Sequence, residues 1–298
     1  MPDRPRRSRR GIPGQGSLRG ERRTAPATLP IGTVPIDSGT AELVRDPSEA
    51  NLVTLLVNGV PSSCLDLDDA GRLEFEYMQH MAALTRHLPD GPVDAVHLGA
   101  GGCALPRWLN DARPGSRQLA VDIDARLIEL VRTWFLLPRA PQLRLRAADA
   151  RTALTSLPTA SADLVVRDVF AGDRTPDDLT TAEFCAEVER VLRPGGLYLA
   201  NCADRPPLAT ARSEVATIAG VWPHVVLVAE TGVLRGRRYG NLVLAASDTP
   251  LELDETRRAL RSLVVPSRLV ERAALADFGR SAPVRRDPAI AKDDTANL

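Results

Sequence analysis

The feature that most constrains the fold is a regular alternation of short apolar runs and helical stretches, which begins near Val93. A helical stretch can be placed after each of five runs. The candidate strands are Asp94–Leu98, Leu119–Ile123, Leu143–Arg146, Leu164–Asp168 and Leu197–Asn201. Consecutive strand–helix units of this kind predict a parallel sheet that is covered by helices on both faces.

Two further apolar runs follow Trp222. Val225–Glu230 and Asn241–Ser247 are joined by the turn-rich segment 235–240. Strands so close together in sequence should pair antiparallel. We therefore predict an α/β fold with a doubly wound, mostly parallel, seven-stranded sheet that ends in a reversed strand.

The segment before the alternation has a different pattern. Leu52–Val57 and Val60–Leu67 are predicted strands around Asn58-Gly59, a pair that favours a type I′ turn. From Arg72 to Leu88, apolar residues recur at steps of three and four, which is typical of an amphipathic helix. We expect a small N-terminal β-hairpin region followed by a helix.

Composition separates the ends of the chain from its centre. Residues 1–36 are rich in Arg, Gly and Pro and contain few large apolar side chains. Burial of so few apolar groups cannot offset the conformational entropy that is lost on folding, so we predict a disordered, Arg-rich tail. We assign residues 37–90 to the hairpin and helix and residues 91–250 to the doubly wound domain. Residues 251–298 are expected to form a C-terminal helix and a polar tail.

Charge and composition exclude several classes of function. The 38 Lys and Arg residues balance the 38 Asp and Glu residues, so the net charge is zero and does not favour a nucleic-acid or membrane partner. Lys292 is the only lysine and lies in the polar tail, which argues against Walker-type phosphate binding, kinase chemistry and Schiff-base catalysis. The four cysteines form no C-x-x-C pair. We expect reduced thiols, no metal site and a cytoplasmic location.

A glycine-rich turn follows the first parallel strand. Leu98-Gly99-Ala100-Gly101-Gly102-Cys103-Ala104 matches the spacing G-x-G-x-x-G/A, in which glycines let the backbone approach a ligand. Asp122 ends the next strand, 23 residues after Gly99, near the roughly 20-residue spacing of a ribose-binding carboxylate. A glycine-rich turn beside a surface Asp is the alternative. The order strand, turn, helix, strand, acid favours nucleotide binding.

Acidic residues also follow the third and fourth strands. Asp149 precedes Ala150 at the start of a predicted helix, and Asp168 ends the fourth strand. The carboxyl ends of parallel strands lie at one edge of the sheet, so these acids should line one crevice with Gly99 and Asp122. Each acid could instead be a helix N-cap. Asp173, in the next loop, is either a second acid over the site or an ordinary turn residue.

Two nucleotide classes compete for this crevice. A nicotinamide dehydrogenase shares the glycine turn and the acid. However, the segment from Val191 to Tyr198, followed by the antiparallel pair, resembles the class I S-adenosylmethionine-dependent transferase fold, which is Rossmann-like. This resemblance favours a sulfonium nucleotide over NAD.

Within that superfamily, residues 40–250 resemble the spermidine synthase (polyamine aminopropyltransferase) family. The segments that carry the resemblance are Asn58–Ser63, Leu73–Tyr77 and Asp163–Asp173. The resemblance implies that Asp122 binds ribose, Asp149 the adenine amino group and Asp168 the attacking amine. Tyr77 would hold the amine side of the pocket. The implied catalytic set is Asp168, Asp173 and Tyr77; the implied cofactor-binding set is Gly99, Ala100, Gly101, Gly102, Asp122, Ile123, Asp149 and Ala150.

The chain departs from the family pattern at three positions. The family acid that pairs with the donor's aminopropyl ammonium is replaced by Gly102, a glutamine is replaced within Ser62-Ser63, and an acid is replaced by Gln79. Burying a dicationic diamine without paired carboxylates is costly.

Three functions follow from these patterns. The first is aminopropyl transfer from decarboxylated S-adenosylmethionine to a small-molecule amine. The alternatives are an S-adenosylmethionine-dependent methyltransferase and a non-catalytic nucleotide-binding homologue. The resemblance implies no metal ion. The sequence does not decide whether the chain forms a homodimer.

Overall fold

The computed structural model describes residues 29–135 and 137–289. Its N-terminal part is a four-stranded antiparallel sheet in the order β1-β2-β3-β4. The strands are β1 Thr33–Ile36, β2 Gly39–Arg45, β3 Leu52–Val57 and β4 Val60–Asp66. Asn58 and Gly59 both have positive φ, at 52° and 77°, as a type I′ turn requires.

The predicted hairpin is therefore confirmed, but it is half of a larger sheet. β1 lies inside the predicted disordered tail, so that prediction is wrong for residues 33–36. Most of the predicted tail, residues 1–28, lies outside the described residues. Residues 1–36 taken together are rich in Arg, Gly and Pro, but β1 forms by pairing with β2, and composition does not reveal such pairing.

The central sheet has eight strands, one more than predicted, in the order β12-β10-β11-β9-β8-β5-β6-β7. They are β5 Asp94–Leu98, β6 Arg117–Asp122, β7 Leu143–Ala147, β8 Ala162–Arg167, β9 Leu192–Asp204, β10 His224–Glu230, β11 Gly240–Ser247 and β12 Ser267–Glu271. The five predicted parallel strands and the antiparallel pair are confirmed. The extra strand, β12, pairs antiparallel with β10 in the segment expected to be helix and tail. Its five residues are too few to show a clear period of two.

Helices cover both faces of this sheet. They are α1 Glu76–Leu84, α2 Ala104–Ala112, α3 Ala125–Trp134, α4 Ala150–Thr155, α5 Ala182–Val191, α6 Ala209–Ala219, α7 Thr231–Leu234, α8 Asp254–Arg261 and α9 Arg272–Phe278. α1 is shorter than the predicted 72–88. Leu88 is extended because it precedes Pro89, which disfavours helical backbone there.

Alternate residues of the central strands contribute to two separate hydrophobic cores, one on each face of the sheet. On β8, Leu164 and Val166 pack with α1, α2 and α3 on what we call the front face, and Val165 packs with α4, α5 and α6 on the back face. The N-terminal sheet also packs on the front face. Within the described part of the chain, no helix combines the length and apolar character needed to cross a membrane.

Candidate active site

The glycine turn between β5 and α2 is pressed against the end of β8. Gly99 has φ +88°, and a Cβ there would lie 2.1 Å from the backbone oxygen of Asp168. Only glycine fits this approach without moving backbone. The backbone of Asp168 in turn donates to the carbonyl of Leu98 at 2.8 Å. The residues that directly follow β5 and β8 thus meet at the edge of the sheet where the parallel strands end.

Asp122 reaches back to the same turn. Its Oδ2 accepts hydrogen bonds from the backbone N–H groups of Ala100 at 3.1 Å and Gly101 at 3.2 Å, and its Oδ1 accepts one from Asp124 at 3.0 Å. Burial raises the pKa of the Asp122 carboxyl, against these three hydrogen bonds, which lower it. A carboxylate has about four lone-pair positions. One position on Oδ1 therefore remains for a ligand, and a second ribose hydroxyl would have to displace a backbone N–H.

Asp124, which sequence reasoning did not single out, joins the two sheets beside this position. It is the N-cap of α3, where it accepts from the backbone of Leu127 at 2.7 Å. Its other oxygen accepts from both the backbone and the hydroxyl of Ser38, each at 2.7 Å. The side chain of Ile123 between the two acids is 72% exposed.

Asp149 occupies the N-cap position of α4. Its Oδ1 accepts from the backbone of Thr152 at 2.8 Å, and its side chain is exposed at the edge next to β6. Ala150, the first residue of the helix, is buried. The N-cap role of Asp149 is therefore confirmed. A contact of Asp149 or Ala150 with a ligand stays a prediction.

Asp168 and Tyr77 lie together, as the resemblance implied. The Tyr77 hydroxyl donates to Oδ2 of Asp168 at 3.0 Å. Burial raises the pKa of Asp168, and the hydrogen bonds from Asn201 and Tyr77 and the charge of Arg167 oppose that rise. Burial beside this carboxylate also raises the pKa of Tyr77 well above its usual value. The tyrosine therefore stays protonated and donates to Asp168.

Asn201 is a second partner of Asp168 that sequence reasoning missed. Its Nδ2 donates to Oδ1 of Asp168 at 2.9 Å, and the residue is 1% exposed. The available signal was position: Asn201 is a polar residue in the apolar strand next to β8, at the level where β8 ends.

Asp173 is not brought into this cluster. It lies exposed in the loop after β8, and its described hydrogen bond, of 2.7 Å, comes from Arg205. The guanidinium of Arg205 also lies 5.7 Å from the ring centre of Tyr239. Asp173 thus has the partner of an ordinary surface acid, and its catalytic role stays a prediction.

The N-terminal sheet fills the space beside Gly102. The backbone N–H of Gly102 donates to Oγ of Ser63 in β4 at 2.8 Å, and Ser63 is buried. A Cβ at Gly102 would lie 2.8 Å from Cβ of Ser63 and 3.0 Å from Cδ1 of Leu65. An acidic side chain at position 102 would therefore clash with the hairpin, because Ser63 and Leu65 occupy the space it would need.

Comparisons with known proteins agree with this architecture. Residues 96–200 match the family model described as a methyltransferase domain. The structure of a probable spermidine synthase from Corynebacterium glutamicum is 37% identical, with a TM-score of 0.84 over 89% of this chain and 99% of that one.

Two curated proteins are more distant. The polyamine aminopropyltransferase of Chromobacterium violaceum is 29% identical over 160 residues, which are 53% of this chain and 60% of that protein. The eEF1A lysine and N-terminal methyltransferase of Bos taurus is 27% identical over 146 residues, which are 46% of this chain and 21% of that protein. The match thus spans less than two thirds of either relative.

Proposed function

Because the chain belongs to the spermidine synthase-like family of the class I S-adenosylmethionine-dependent transferase superfamily, we propose that it transfers an aminopropyl group from decarboxylated S-adenosylmethionine to an amine. The observation that carries this proposal is the Asp168 carboxylate directly after β8, held by one donor on each oxygen. A carboxylate so placed can bind an ammonium group and take its proton.

The adenosyl part of the donor is assigned to the edge next to the glycine turn. Asp122 retains a position on Oδ1 for a ribose hydroxyl. The N-cap bond of Asp149 uses Oδ1, which leaves Oδ2 for the adenine amino group. Ile123 supplies an exposed apolar side chain that an adenine ring can cover. These contacts support an S-adenosylmethionine-type co-substrate.

The transfer needs little acid–base chemistry. The amine lone pair attacks the carbon bonded to the sulfonium, and the C–N bond forms as the C–S bond breaks. The bonding electrons pass to sulfur, which leaves as a neutral thioether. An alkyl amine with a pKa near 10 is mostly protonated at neutral pH, so Asp168 holds it in line and accepts its proton, directly or through water.

Methyl transfer from ordinary S-adenosylmethionine is the second candidate. The observation that favours it is the contact between Gly102 and Ser63, which leaves the glycine turn without a carboxylate to pair with an aminopropyl ammonium. Without that acid, the turn also lacks the like charge that would repel the carboxylate of the ordinary donor.

The test is to incubate the purified chain with each sulfonium donor and a panel of amines, and to identify products by mass spectrometry. An aminopropyl adduct supports the proposal, and a methyl adduct overturns it in favour of the second candidate. The variant Asp168→Asn serves as the control for enzymatic transfer. Retained donor binding without any product would make the chain a non-catalytic nucleotide-binding homologue.

A further inference from the structure

Asn201 has the contacts of a residue that orients Asp168. Asp168 as a carboxylate only accepts hydrogen bonds, so the amide nitrogen of Asn201 must face it. Tyr77 donates to the other oxygen, Oδ2. A carboxylate with one fixed donor on each oxygen cannot rotate about its Cβ–Cγ bond without losing one of them. One lone-pair position on each oxygen stays available for an amine.

The backbone of Asn201 is held from the back face of the sheet. Arg167 is fully buried there, and its Nη2 donates to the carbonyl of Asn201 at 2.9 Å and to Oε2 of Glu214 at 2.6 Å. Its Nη1 donates to the carbonyl of Leu179 at 3.1 Å. One guanidinium therefore joins Asn201 of β9 to α6 and to the turn before α5.

Stability alone does not account for this buried ion pair. Replacing such a pair with apolar residues of similar volume is often neutral or stabilising, because desolvation offsets the attraction. Here Nε of Arg167 and Oε1 of Glu214 also lack hydrogen-bond partners among the described residues. The pair does have a geometric consequence, since it fixes the strand residue whose side chain holds Asp168.

We propose that Asn201 is a positioning residue that orients the Asp168 carboxylate toward the amine, and that the Arg167–Glu214 pair fixes Asn201 from the back face. This inference rests on the proposed function of Asp168. In-line attack tolerates little misplacement, and an error of about 1 Å can cost about 100-fold in rate. Asn201→Ala should therefore lower kcat by about 10- to 100-fold and leave KM for the sulfonium donor nearly unchanged.

A pH profile separates positioning from a merely structural role. Asp168 faces Tyr77 from α1 and Asn201 from β9, and the glycine turn presents backbone of Gly99. The charge of Arg167, on the same strand, is paired with Glu214 of α6. Removing the Asn201 donor disfavours the carboxylate form of Asp168. The pH below which kcat falls, the acidic limb of the pH profile, should therefore rise by about one unit. Asn201→Asp, which adds a like charge, should move it further.

The matched control is Ser247→Ala, which removes a buried polar group at the opposite end of neighbouring β11. It should leave the acidic limb in place. The double variant Arg167→Met/Glu214→Leu keeps apolar volume and should reproduce the kcat loss of Asn201→Ala. If the folded double variant keeps the kcat of the native protein, the back-face part of the inference is wrong.

A second measurement does not need turnover. The carboxyl carbon of Asp168 can be titrated by NMR in isotope-labelled protein and assigned by its loss in Asp168→Asn. An unmoved midpoint in folded Asn201→Ala overturns the inference even if the enzyme is active. A moved midpoint in a protein that transfers no group shows that Asn201 acts on Asp168, but it overturns the proposed function and with it the orientation toward an amine.

Discussion

Tyr77 in α1 donates a hydrogen bond of 3.0 Å to Asp168, which lies 91 positions further along the chain. α1 belongs to the segment before the parallel sheet and packs across its front face. The strand–helix units therefore do not complete the candidate site by themselves. The N-terminal region supplies one of the two donors that hold its central carboxylate.

Removing the Tyr77 hydroxyl should slow turnover and shift its pH dependence. In Tyr77→Phe, Asp168 loses a hydrogen bond to a charged group, worth about 1.5–3 kcal/mol, so kcat should fall by about 10- to 100-fold. The pKa of Asp168 should rise because its carboxylate form is less stabilised. Steady-state kinetics across pH check this. Tyr198→Phe, on the back face, is the matched control; an equal loss there would contradict the assignment.

Asp168→Asn keeps the shape of the side chain and removes its charge. We expect the variant to bind the thioether product but to lose about 10²–10⁴-fold in rate, the usual contribution of a general base. Raising the pH should partly restore the rate, because more of the amine is then deprotonated in solution. Calorimetry and kinetics measure the two effects. Lower thermal stability with full activity per folded molecule would make Asp168 a structural acid.

Asp122→Ala should weaken binding of the adenosyl ligand. Loss of a hydrogen bond to a charged group costs about 1.5–3 kcal/mol, a loss of tenfold or more in affinity. Because Asp122 also holds the N–H groups of Ala100 and Gly101, thermal stability should fall as well. Calorimetry below the unfolding transition isolates the affinity. Asp111→Asn, an exposed acid on α2, is the control, and unchanged affinity in Asp122→Ala would overturn the ribose assignment.

Donor choice should respond to position 102 only when space is made for it. We expect the native chain to bind ordinary and decarboxylated S-adenosylmethionine within roughly tenfold of each other. Gly102→Asp alone should destabilise the fold, because its Cβ would lie 2.8 Å from that of Ser63. Gly102→Asp/Ser63→Gly should be more stable than Gly102→Asp alone, although it loses the hydrogen bond from the Gly102 backbone to Ser63, and it should favour the decarboxylated donor. Competition binding tests this, and a native preference of several orders of magnitude would show that another acid selects the donor.

Buried histidines should make the fold sensitive to mild acid. Burial lowers the pKa of His97 to about 4, against a hydrogen bond from its ring to Gln118 that raises it. Because the folded pKa lies below the unfolded value of about 6.5, protonation favours unfolding. Stability contributed by neutral His97 is thus lost as pH falls from about 6.5 toward 4. His97→Asn should unfold in denaturant with a weaker pH dependence across this window than the native chain, and an equal pH dependence in the two proteins would contradict this prediction.

The identity of seven central strands, the mostly parallel character of their sheet and the edge expected to carry the site were predicted from the sequence alone. Apolar runs and helical periodicity are local properties, and strand–helix units leave few topologies for a parallel sheet. The glycine turn, Asp122 and Asp168 could be placed together because each ends or follows a parallel strand, and such ends share one edge. The NAD alternative lost support through the segment after Val191 and the reversed strand, also local patterns.

Tertiary structure alone decided which side chains meet at that edge. Ser63 against Gly102 and Asn201 against Asp168 join residues that are 39 and 33 positions apart, and no local period encodes such pairs. It also decided that Asp173 pairs with Arg205 rather than joining Asp168. β12 exists because β10 offers an unpaired edge, not because its own five residues have a strong pattern. Local physics selects the elements, whereas packing of distant segments selects the contacts that shape the chemistry.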